Sequence, residues 1–309
     1  MKKGLIVLIV VGAAILTAGS AMFGLAIAKG AFKNSSNSKE VPNSITLTES
    51  YNKIDVNVAT GDLTFKPSED GKTKVDVIER EKIHFTADVS SDTLLIKQQD
   101  DRAFYEKWFG NFGRMKLTVY LPESTYSDLK IKVVSGDVLI QDNFTFDTQN
   151  ISSTSGDIKL SNINGSSLDI DVTSGDVELT NCSYTGDISS KAVSGRHTIN
   201  GVTCNKATLN ATSGKFDIND LIVSGTFDSK NYNLTIKGVS SDIKFKNCDA
   251  RNIYMETTSG DIEGNFLTKK SFDADSTTGE VNVDSDRNAE DKCYAHSTTG
   301  DIDISIGVK

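Results

Sequence analysis

Carboxylates recur in this 309-residue chain at a fixed step. Asp137, Asp157, Asp176, Asp242, Asp261, Glu280 and Asp301 each occupy the third place of a phrase that reads Ser/Thr-Gly-Asp-Ile/Val. Arg196 and Lys215 hold that place in two further copies. If the copies stack, these side chains form one ladder, and hard cations favour clustered carboxylate oxygens. The chain lacks the Gly-Gly-x-Gly-x-Asp pattern of calcium-binding β-helices, and two cations enter the column. The ladder therefore reads as structural, without a metal, each Asp capping a chain corner through its own backbone amides with Ser or Thr helping.

The other reactive residues are dispersed. Cys182, Cys248 and Cys293 fall in columns otherwise filled by Ile, Val, Leu and Phe, as buried thiols do; Cys204 is left open to a disulfide. His84, His197 and His296 form no cluster, and only His197 takes an apolar slot, where a hydrogen-bonded structural histidine is expected. No Gly-x-Ser-x-Gly elbow, phosphate loop, dinucleotide fingerprint or His-Glu-x-x-His is present. Carboxylates on neighbouring coils could still meet the separations glycosidases use. The reading is nevertheless of a non-enzyme with no catalytic residue and no cofactor.

The elements that would position these groups follow from the spacing. The motif glycines are Gly136, Gly156, Gly175, Gly195, Gly214, Gly260, Gly279 and Gly300, with Ser241 in one place. Steps of 19 to 21 residues, and one of 27 between Gly214 and Ser241, are the period of a solenoid. Val138 and Ile140, Ile158 and Leu160, Val177 and Leu179 follow the glycines at alternate positions, and Leu129, Ile131 and Val133 precede Gly136 likewise. Period two puts one face of a strand inward. One coil cannot bury that face alone, so coils stack. The predicted fold is all-β: a single-stranded parallel β-helix over residues 126–309, with Gly136-Asp137, Gly156-Asp157, Gly175-Asp176, Gly260-Asp261 and Gly300-Asp301 at one corner. A sandwich of short strands is the competing fold. Prolines occur only at 42, 67 and 122, as expected where every coil is hydrogen-bonded on both sides.

Residues 5–28 carry no charge and follow Lys2 and Lys3. As a helix they span about 36 Å, enough to cross a bilayer, with residues 1–4 in the cytoplasm and the remainder outside. Cleavage after Ala26-Ile27-Ala28 is the alternative. Residues 29–43 read as a polar tether and 44–125 as a β cap. Within the cap, Thr60-Gly61-Asp62 copies the motif, set apart from the other coils. An insert at 100–116 carries Phe104, Tyr105, Trp108, Phe109 and Phe112. It reads either as a packed lid or as an exposed contact for lipid or a protein partner. A formal net charge of −9 argues against nucleic acid as a partner.

The repeated Ser-Gly-Asp-Ile phrases behind one hydrophobic segment, with the entry "VYLPESTYSDLKIKVVSGDVLI", resemble the bacterial putative-adhesin family of domain of unknown function 4097, which includes LiaG-like envelope proteins. The resemblance covers Ser44 to Lys309. It implies a right-handed β-helix-like domain in the cell envelope and supplies no catalytic residues. The expected role is display, adhesion or scaffolding at the cell surface. An envelope protein, a cell-wall polymer or a membrane regulatory partner would be the counterpart. A regulatory ectodomain in an envelope-stress response is the alternative, and a glycan-active enzyme a more distant one.

Overall fold

The structure, a computed structural model, describes residues 40–80, 82–102, 115–226 and 231–307. These form one sheet of 23 strands, and no helix occurs among the described residues. Coils are named below by their corner glycine. Each consists of a strand before the corner and a shorter one after it, such as Asn164–Ser174 and Val177–Thr180 in the Gly175 coil. In the Gly195 and Gly214 coils the two merge into Asp187–Cys204 and Lys206–Val223.

Neighbouring coils pair parallel and in register. Ile131, Ile151 and Ile170 align, as do Val138, Ile158, Val177, His197, Phe216, Ile243 and Ile262. The alternation read from the sequence thus becomes continuous inward columns, nearly all of them sealed from solvent. Burying one such Ile or Leu contributes about 1.5–3 kcal/mol.

Coil order follows the sequence only in the middle. The Gly61 coil, Lys53–Thr60 with Asp62–Pro67, pairs directly with the Gly136 coil through Ile54↔Leu129 and Leu63↔Val138. On its other side lie Thr93–Asp100 and Lys116–Leu121, later in sequence yet further out. The mirror arrangement occurs at the C-terminal end. The Gly300 coil, Lys292–Thr299 with Ile302–Ile306, lies between the Gly260 coil and the Gly279 coil, Ser271–Thr278 with Val281–Val283. The stack therefore extends into the segment read as a cap, and the motif at Gly61 is not set apart in space.

The N-terminal end is closed by antiparallel strands. Ile83–Ser90 pairs with Thr93–Asp100, and Thr73–Arg80 with Lys116–Leu121. Glu40–Leu47 then covers Thr73–Arg80, Ile45 facing Val75. A strand beginning at Glu40 shortens the tether expected over 29–43. Pro42 and Asn43 read as loop residues, yet an edge strand paired on one side has room for a proline. The expected span 5–28 and the aromatics Phe104, Tyr105, Trp108, Phe109 and Phe112 lie outside the described residues. Among those described, no helix is long and apolar enough to cross a membrane.

Candidate functional site

At the corner, the strand before each glycine ends in Ser or Thr and the chain turns through Gly with φ between +139° and +152° in eight coils. A Cβ added at Gly175 would fall closer than 3.0 Å to the Gly156 carbonyl oxygen. The glycines are thus required both by the dihedral and by the approach of stacked backbones. Ser241 turns without a positive φ, and Gly279, in the outermost coil, also lies outside that region.

The Asp ladder caps differently from the sequence reading. Each Asp carboxylate accepts from the backbone amide of the next coil rather than from its own. Asp137 N–H donates to Asp62 Oδ1 at 3.1 Å, Asp157 N–H to Asp137 at 2.9 Å and Asp176 N–H to Asp157 at 2.9 Å. Arg196 N–H donates to Asp176 at 2.8 Å. The ladder then breaks, since Arg196 and Lys215 bring no carboxylate, and Lys215 Nζ lies 3.3 Å from Asp242. It resumes with Asp261 N–H on Asp242 at 3.4 Å, Asp301 N–H on Asp261 at 2.9 Å and Glu280 N–H on Asp301 at 2.8 Å. The reason is positional: at a corner that projects outward, the next amide along the stack is the free donor. Each Asp is therefore an inter-coil clamp.

With one oxygen engaged per coil, the ladder does not converge on a point. No group of three or more His, Cys, Asp or Glu able to hold a metal occurs among the described residues. Melting temperatures in millimolar calcium and in chelator should agree within about 2 °C. A larger rise with calcium would show that the carboxylates bind ions rather than clamp coils.

A second corner went unread in the sequence. Six residues past the motif glycine stand Asn162, Asn181, Gly201, Asp220 and Asn247, all with φ between +52° and +64°. Asn and Asp tolerate this left-handed region better than other side chains. The signal was present as a column of Asn, Gly and Asp.

His197 is inward, as read, but it is not hydrogen-bonded. Its ring is fully buried, neither nitrogen has a partner, and it stacks on Phe216 with centroids 5.0 Å apart. Burial lowers its pKa to about 4, against an upward pull from Asp176. Below the ordinary histidine value of about 6.5 the unfolded chain takes up a proton that the folded chain refuses until about 4. Stability is therefore lost as pH falls through that window. Between pH 7.5 and 5 the loss from this residue is about 2 kcal/mol. Urea melts of His197→Leu should lack that component, so the variant's stability relative to the parent rises by this amount between pH 7.5 and 5. Parallel pH profiles would contradict the assignment.

The cysteines are buried and free, Cys204 included. Burial pushes the Cys204 and Cys248 thiols up to about 12, so they are poor nucleophiles.

The family-level sequence profile of Toastrack DUF4097 matches residues 51–228 and again 183–308. The chain belongs to the Toastrack family. Among solved structures, a Toastrack-like fold is shared with a protein described as a putative lipid binding protein from Parabacteroides distasonis. That match has 16% identity and a TM-score of 0.52, and covers 87% of this chain and 98% of that one. A putative adhesin from Bacteroides fragilis matches at 17% identity and TM-score 0.44, over 87% and 97% of the two chains. One from Parabacteroides merdae matches at 15% and 0.42, over 74% and 96%. No curated protein matches. At such identities the likeness speaks to the fold alone, and the Toastrack coils themselves must supply any functional argument.

Two further features of this Toastrack domain had no sequence reading. Lys270 is fully buried, with Nζ 2.7 Å from Asp249 and 3.3 Å from Asp291. Tyr232, Tyr254 and Tyr294 form a row, with centroids 4.9 and 5.0 Å apart. Their signal is weak because the three lie in different coils and only stacking joins them.

Proposed function

We propose that this protein acts at the cell surface as a display, adhesion or scaffold module without turnover chemistry. In this reading residues 5–28 hold it in the membrane and the coil stack lies outside. One observation supports it above others: the recurrent motif carboxylates, the cysteines and His197 are either engaged between coils or sealed inside the stack. The carboxylates clamp amides, the thiols are sealed and the lone inward imidazole is enclosed. What remains for a partner is a set of long faces on which each column repeats once per coil, and such faces suit extended contact.

The test uses the full chain in intact cells, with photo-crosslinking residues at Val134 and at Lys244, on either side of the corner ladder. Envelope material should be captured at high mass, and protease added outside should remove the coil domain. Crosslinks confined to cytoplasmic proteins, or a chain protected from external protease, would overturn the proposal.

A further inference from the structure

A furrow of about 600 Å³ runs along the middle coils, just before the corner. Its floor holds Ala192, Ala211 and Gly238 in register. The side chains of this column face the core, as do Val133, Ser153 and Val172 in the coils before it, so the backbone forms the floor. One bank is a single file of Asp171, Lys191, Asn210, Lys237 and Glu256, one from each of five successive coils. The other bank presents Val193 and Val239, 52% and 50% exposed, with Thr212 and Thr258 in the same lining. At the far end the furrow meets the tyrosine row: Tyr254 OH donates to Glu256 at 2.8 Å, and Lys237 Nζ lies 4.6 Å above the Tyr254 ring.

We propose that this furrow binds an extended, uncharged polysaccharide chain. The inference rests on the surface-contact reading above and names the ligand class for it. Five coils at about 4.8 Å give a trough roughly 19 Å long, which suits a linear ligand. The polar bank carries two acids, two bases and one amide, so in a chain of net charge −9 it selects neither an anionic nor a cationic polymer. Sugar hydroxyls both donate and accept, and they match a file in which acceptors and donors are mixed. The valine and threonine methyls offer a surface to the C–H face of a pyranose, and the tyrosines extend that surface. A peptide adding as a strand is disfavoured, because the backbone groups along the trough are already paired on both sides and strand addition needs an open edge.

The experiment is calorimetry on the detergent-solubilised full chain with cellohexaose, chitohexaose and hexagalacturonate as probes. At least one neutral hexasaccharide should bind, and the corresponding disaccharide should bind at least tenfold more weakly. The double variant Val193→Ser, Val239→Ser should lose at least tenfold in affinity with its melting temperature unchanged, since both side chains face solvent. Preference for the uronate, no binding of either neutral hexamer, or undiminished binding by the double variant would overturn the proposal. If these arms fail while crosslinks to envelope material persist, the furrow is refuted and the surface-contact reading stands. If both fail, both fall.

Discussion

Gly175→Val should unfold the middle of the stack at denaturant concentrations that leave Asp176→Ala folded. Two costs coincide at Gly175. A φ of +150° is a region L-residues avoid, and the new Cβ would sit closer than 3.0 Å to the Gly156 carbonyl oxygen. That oxygen belongs to backbone held in register from both sides, so it cannot retreat as a flexible side chain would. Strain of about 1–3 kcal/mol from the dihedral alone, with overpacking of about 1–3 kcal/mol, gives about 4 kcal/mol as the expected loss. Asp176→Ala removes only the acceptor for Arg196 N–H at 2.8 Å. That amide lies at an exposed corner where water replaces the carboxylate, so the cost stays at about 0.5–2 kcal/mol by analogy with helix caps. Equal or reversed losses in chemical melts would show that the corner is not held by backbone contact.

Lys270→Met should loosen the C-terminal coils selectively. Lys270 stands in the connection that leaves the Gly260 coil and steps past one coil position to begin the Gly279 coil. Its ammonium binds Asp249, in the preceding connection, and Asp291, in the one that leads back to the Gly300 coil. Its carbonyl accepts Asp286 N–H, and Asp291 O accepts Ser271 N–H. Three connections thus meet at one buried charge. Removing one partner of a buried ion pair costs about 3–5 kcal/mol; the two carboxylates keep some solvent contact, so the lower end is expected. Amide exchange should accelerate through residues 271–306 and stay unchanged in the Gly156 and Gly175 coils. Uniform acceleration, or none, would show that Lys270 does not govern the coil exchange.

The furrow and the tyrosine row depend on the same columns that made the fold readable. Their residues were in view, but Ala211 and Gly238, or Tyr254 and Tyr294, become neighbours only once register is known.

From the sequence alone came the all-β stack, the inward columns and the glycine corner. In-register stacking maps each column of the sequence onto one line in space, so period and alternation suffice. The tertiary structure decided what passes between coils. A carboxylate's own amide and the next coil's amide lie at the same corner, and only the stack shows which one accepts the capping bond. Coil order at the two ends was likewise closed to the sequence. Every coil offers a neighbour the same backbone groups and similar apolar columns, so the local pattern fits a strand beside either face. Contacts between distant connections, such as Lys270 with Asp249 and Asp291, accompany the placement of the last coil inside the one before it.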